Sequence, residues 1–281
     1  MFNLSLYIKI LLLFILFPTQ YLFGQEKINF LHVNFPPLWI IEGNLKGKGI
    51  ADAGEIFIKK RFPQFEYNNI KVTVARAQSF MSKKNKNTYC AVPHGKGFFK
   101  NIVESKVWVA TSGHVLISTK KYINKLKSNK TSINEKEQLI LTKFLKQSND
   151  IGLVTKSQRY PILDPILSSY KPTKIKDYVS SNMLSLYDMV LKQRGSYTFQ
   201  YESTVKYLQK LNHEISFITI EELNNHKVII VVGCNDTPLA RKFISQVDTK
   251  INELRIVGLQ KMKEFLSPIT FDNIKNFVNI K

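Results

Sequence analysis

The side chains able to do chemistry in this chain are few and widely spaced. Phe35 and Trp39 share a loop with Pro36-Pro37, and His94 and Lys96 follow an apolar β segment. Arg76 sits in a helical stretch, Arg159-Tyr160 open another, and Tyr201-Glu202 end a β segment. The five histidines, at 32, 94, 114, 213 and 226, are scattered. No Ser/His/Asp trio, HExxH or CxxC spacing is present, so neither a zinc site nor an activated nucleophile has support. General acid or base work would fall to His94, Glu202 or Glu42. Aromatic faces with a few separated charges suit a different task. They can grip the body of a small molecule and fix its orientation.

The elements that must position these groups can be read from hydrophobic period. Ile28–Val33 is a strand, and the Pro-Pro loop and the turns at Gly43-Asn44 and Gly47-Lys48-Gly49 lead to a helix over Ile50–Arg61. Ile70–Thr73 is a short strand, Val74–Lys83 a helix with Val74, Ala77 and Met81 on one face, and Thr88–Pro93 a buried strand. Val107–Thr111 and His114–Ser118 form a strand pair. Lys120–Asp150 is lysine-rich and polar, a linker with one surface helix. Alternation resumes with strands at Ile151–Thr155, Lys174–Val179, Tyr197–Glu202 and Ile215–Ile220. Helices follow at Pro161–Tyr170, from Ser181 to Gln193, and over Ser203–Leu211. Lys227–Val232 is strongly β, and Thr237-Pro238 opens a long helix with Leu239, Phe243, Val247, Ile251 and Leu254 as its buried face. A last helix, Gly258–Phe265, precedes a polar tail. Such alternation argues for an α/β protein with mainly parallel sheets, in two halves.

Composition narrows the function. At 281 residues and 44% hydrophobic, the chain can build a globular core. Residues 1–24 read as a secretory signal, with Lys9 before the apolar run Ile10–Phe17 and a cut after Gly24; Leu22 is large for its position, so an uncleaved anchor stays open. Export places the protein in the periplasm or outside the cell. It also makes Cys90 and Cys234 candidates for a disulfide, the other reading being two buried thiols that never meet. The net charge of +20 could attract an anionic membrane surface. Its lysines are spread along the chain with no nucleic-acid signature, so a solvated basic surface is the plainer reading and nucleic acid is not an expected partner.

Taken in order, the motifs resemble the bacterial extracellular solute-binding proteins of the amino-acid-binding class, family three, in an uncharacterised exported branch. The resemblance rests on Phe35-Pro36-Pro37 with Gly49-Ile50-Ala51-Asp52, on Ala75-Arg76 before Tyr89-Cys90-Ala91, and on Ile151-Gly152-Leu153 with Arg159-Tyr160. It continues through Arg194-Gly195 to Tyr201-Glu202, and ends on Val231-Val232-Gly233-Cys234. It implies a type II periplasmic-binding fold. Lobe one would be 25–116 completed by 233–281, and lobe two 117–232, joined by two hinge crossings. Both cysteines then fall in or beside lobe one, which favours a bridge.

The resemblance further implies a monomer that closes on a small polar or aromatic ligand and serves an ABC-type permease or a sensor receptor, without cofactor or metal. Ligand-binding residues would be Phe35, Trp39, Arg76, His94, Lys96, Arg159, Tyr160, Tyr201 and Glu202. The chain departs from the family where relatives carry Lys-Thr-x-x-Arg. Here Pro93–Lys100 places Phe98 at the arginine that would fork a ligand carboxylate. Tyr201 and Ser196 stand where aspartates are common. Two other readings follow from these losses: an envelope interaction module with a degenerate cleft, and an enzyme resembling cyclohexadienyl dehydratase.

Overall fold

A computed structural model describes residues 25–278 apart from 84–85, 99, 156–159, 161, 172, 179–183 and 212–213. The expected signal segment, the helix start at Ser181 and Arg159 lie outside the described residues. Among those described, no helix is long and apolar enough to cross a membrane.

The first half runs β1 (Lys27–His32), α1 (Ile50–Arg61), β2 (Glu66–Lys71), α2 (Val74–Ser82), β3 (Thr88–Gly95), β4 (Ile102–Glu104) and β5 (Val109–Ser112). The second runs β6 (His114–Thr119), α3 (Lys120–Asn129), α4 (Leu141–Gln147), β7 (Gly152–Thr155), α5 (Leu163–Ser168), β8 (Ile175–Tyr178), α6 (Ser185–Leu191), β9 (Tyr197–Tyr201), α7 (Glu202–Leu211) and β10 (Ile215–Thr219). The chain then returns through β11 (Lys227–Asn235) to α8 (Pro238–Thr249), α9 (Ile251–Met262) and α10 (Pro268–Phe277).

Two sheets result, ordered β2-β1-β3-β11-β4 with β5 also on β11, and β10-β6-β9-β7-β8. The chain crosses between them at Gly113 and again between Thr219 and Lys227, so the expected lobe limits at 116/117 and 232/233 fall inside β6 and β11. Three sequence expectations change. Segments 107–111 and 114–118 do not pair with each other: β5 lies on β11 and β6 lies between β10 and β9. The sheets are mixed, because β11 runs antiparallel to β3, β4 and β5, and β6 antiparallel to both its neighbours. The stretch 120–150 forms two helices whose Ile123, Leu141, Phe144 and Leu145 are buried in the core of the second half.

Trp108 locks the first half. It is fully buried, and its indole N–H donates to the Leu254 carbonyl at 2.8 Å. A methyl on Gly258 would stand 2.6 Å from the indole nitrogen, and one on Gly54 2.7 Å from the ring. The two glycines let α1 and α9 close on the ring. The long helix expected from Thr237 breaks at Lys250 into α8 and α9, with Thr237 capping α8 through the Ala240 N–H.

Cys90 and Cys234 are bonded, directly opposite each other on β3 and β11 with Cα atoms 4.0 Å apart. Their sequence separation is 144, so the bond encloses the whole excursion through the second sheet. Just past the first crossing, His114 is buried between Tyr201, with ring centroids 4.3 Å apart, and Tyr160, at 5.1 Å. Burial pushes its imidazole down to about 3, so it is neutral at physiological pH.

Three outcomes are expected. In an exposed helix Gly→Ala stabilises by roughly 0.5–1 kcal/mol, but the clash with Trp108 reverses the sign: Gly258→Ala should destabilise by about 1–3 kcal/mol in urea melts. Replacing both cysteines by Ala should cost about 2–5 kcal/mol, checked against the same melts under reducing conditions. His114 has a depressed folded pKa, so the unfolded chain takes up the proton first. Stability is therefore full above about pH 6.5 and should fall as pH drops towards 3, by up to about 1.4 kcal/mol per unit. His114→Gln should flatten that slope, and an unchanged slope would assign it to other groups.

Candidate functional site

The Pro-Pro loop is held by backbone chemistry rather than by bulk alone. Phe35 and Trp39 exchange both backbone hydrogen bonds across the corner, at 3.2 and 3.0 Å. The loop then satisfies the start of α1: Ile50 N–H donates to the Pro37 carbonyl at 3.0 Å and Ala51 N–H to Leu38 at 2.9 Å. Asp52, in the first turn, accepts from the N–H groups of Gly49 at 2.8 Å and Ile40 at 3.3 Å. Burial pushes its carboxyl up, against those bonds. The corner and the helix are thus one unit, and it carries two aromatic rings.

Trp39 is buried and lies against His32, with ring centroids 4.2 Å apart. His32 in turn bonds Glu55 at 2.7 Å, and Glu55 meets Lys59 at 2.5 Å. Burial raises the Glu55 carboxyl, but the hydrogen bonds from His32 and Lys59 outweigh it and hold the group below its ordinary value. The indole is therefore backed by a chain of polar contacts through His32, Glu55 and Lys59.

In front of it is a cavity of about 200 Å³. Leu31 and Val33 come from the end of β1, Phe35, Leu38 and Trp39 from the loop, and Val74, Ala77, Gln78 and Met81 from α2. The floor is Ala91, Pro93 and His94 of β3 with Val228 and Ile230 of β11, and Phe98 closes one side. Tyr201, the last residue of β9, enters from the second sheet and meets Phe35 edge-on at 6.4 Å. The His114 ring lies tilted against it, and the Tyr160 ring lies tilted against His114. His94 Nε2 lies 3.3 Å from the Glu104 carboxylate; burial pushes its imidazole below the ordinary value although Glu104 pulls the other way.

Of the residues named from sequence, this cavity brings together Phe35, Trp39, His94 and Tyr201. Four others are placed elsewhere. Arg76 is exposed on α2 and lies over the Phe80 ring at 5.6 Å. Lys96 is exposed and lines a neighbouring cavity with Lys227. Tyr160 is fully buried, does not line the cavity, and has its ring against His114, which in turn lies against Tyr201. Glu202 is buried and faces the C-terminal helix, accepting from the Ser267 N–H at 3.0 Å and the Thr270 hydroxyl at 2.6 Å. It caps α10 from a distance, a task set by its place at the start of α7.

Sequence reading did not single out Gln78, His32 or His114. The Val74/Ala77/Met81 face was legible as an apolar stripe, but periodicity cannot separate a face turned to a core from one turned to a cavity. Phe98 was visible as the replacement of a family arginine, and it is a wall of the cavity.

No family model matches the chain, and no curated protein matches its sequence. Solved structures match it in fold. The structure reported for glutathione import through GshT and the cystine ABC importer TcyBC of Streptococcus mutans superposes with a TM-score of 0.65 at 10% identity, over 86% of this chain and 95% of that one. A solute receptor for L-cysteine of Neisseria gonorrhoeae gives 0.60 at 12% identity, over 89% and 94%. The ancestral amino-acid-binding protein AncCDT-1, a precursor of cyclohexadienyl dehydratase, gives 0.60 at 10%, over 86% and 96%. At such identities the likeness establishes the fold: this chain has the two-lobe α/β architecture of the type II periplasmic binding proteins.

Proposed function

We propose that the protein captures a small molecule between its two lobes and presents it to a transporter or receptor of the cell envelope. The observation that carries this reading is the cavity under the Pro-Pro loop. Its walls come from the first sheet and its neighbours, except for Tyr201, which arrives from the second. A ligand there touches both halves, so it favours the arrangement in which they meet by its extra contacts in that state. Structural neighbours reported as receptors and substrate-binding proteins of ABC transporters support the same assignment. Capture in an oxidising compartment fits a buried disulfide, and residues 1–24 would direct the export.

An enzyme on this scaffold is the weaker reading. Among the described residues His94 is the one imidazole lining the cavity, and its Nε2 faces Glu104. No described Asp or Glu lines the cavity as a second acid–base group.

Capture makes a thermodynamic demand. A metabolite at a hundred times its Kd should stabilise the protein by about 2.7 kcal/mol, a rise of roughly 5–10 °C in melting temperature. Phe35→Ala should weaken that ligand at least tenfold and leave the ligand-free melt nearly unchanged, since Phe35 is a half-buried loop residue. A panel of amino acids, peptides, aromatics and organic anions that moves no melting temperature would count against capture.

A further inference from the structure

We infer that the cavity takes a neutral, mainly apolar molecule of one or two rings, bound by shape and by hydrogen bonding to Gln78, in place of a zwitterionic amino acid. The inference rests on the capture reading and specifies its ligand.

Charge is the first argument. The chain carries 41 Lys and Arg against 21 Asp and Glu, yet none of these side chains lines the cavity among the described residues. An α-amino acid would bring a carboxylate and an ammonium into this apolar setting. A charge left without a partner in such a setting loses its hydration with nothing to replace it.

The nearby groups that could have clamped such charges are engaged elsewhere. A helix N-terminus is a ready site for a carboxylate, but at α1 the Pro37 and Leu38 carbonyls and the Asp52 carboxylate already hold the N–H groups of Ile50, Ala51 and Gly49. Glu55 is held between His32 and Lys59, and Glu202 is held on α10. Arg76 points at Phe80 outside the lining. The position at which a family arginine would fork a carboxylate is Phe98, whose ring is a cavity wall.

Size and polarity then define the guest. An apolar cavity of about 150 Å³ suffices for a benzene ring, so 200 Å³ admits one ring or a compact pair. Phe35, Trp39, Phe98 and Tyr201 offer ring faces and edges on several sides. The Gln78 amide has no hydrogen-bond partner among the described residues and can serve one N–H or hydroxyl of the guest.

Calorimetric titration of the full-length protein with five probes tests this: indole and phenol as neutral rings, L-tryptophan and L-phenylalanine as zwitterions, and indole-3-propionate as an anion. Indole should bind at least tenfold more tightly than tryptophan or the propionate. Ala77→Leu, which fills the cavity from a half-buried helix position, should weaken indole at least tenfold with little change in the ligand-free melt. Gln78→Glu, which puts a carboxylate in the wall, should weaken the propionate more than indole. If a zwitterion or the anion binds as tightly as indole and Ala77→Leu blocks it, the neutral-ligand inference is overturned and capture stands. If no probe of any class binds, both fall.

Discussion

The structure depends on a strand that arrives late. β1, β2 and β3 form a parallel set, and the apolar edge of β3 is satisfied only when β11 returns from the second half to lie antiparallel to it. β11 also receives β4 and β5, so three strands of the first sheet wait on a segment that begins at residue 227. Nearly all of β11 is buried, and its unpaired N–H and C=O groups would be costly there. Folding of the first half is thereby coupled to completion of the second. The same strand supplies Val228 and Ile230 to the cavity floor and Cys234 to the disulfide.

Apolar contact continues across the junction. Val115 and Ile117 of β6, with Tyr201 and Val205, belong to the same buried cluster as Trp39, Ile230 and Phe265, while the intervening Leu116 points into the core of the second half. One strand with alternating faces thus serves two cores. Three carboxylates, half-buried Asp52 and buried Glu55 and Glu202, act as fasteners. Asp52 ties the Pro-Pro corner to α1, Glu55 braces the indole through His32, and Glu202 holds the C-terminal helix. Their charges act on the scaffold and leave the cavity to rings and aliphatic carbon.

Much of this was legible in the sequence. α1 fell on Ile50–Arg61 because glycine turns precede it and Pro63 follows it. β3, β9 and β11 were read from β-branched or aromatic residues bounded by turn chemistry. What failed failed for physical reasons. Periodicity marks a strand but not its sheet, so the strands flanking Gly113 looked like a pair although they belong to different halves. The lysines of 120–150 hid the first of its two helices, α3, because it buries only Ile123, and the helix that was expected on the surface packs Leu141, Phe144 and Leu145 into the core. The tail after Phe265 looked polar, but Ser267-Pro268 starts a helix capped by Ser267 and by the distant Glu202. Among the site residues, Tyr201 and Glu202 are adjacent in sequence. The first ends a strand over the cavity, and the second begins a helix and faces away from it.

The bond between Cys90 and Cys234 makes a closed ring of the chain between them, and every residue of the second sheet is threaded on that ring. A backbone cut at any one place within it opens the ring without dividing the molecule. The two fragments stay joined to each other through the disulfide between β3 and β11.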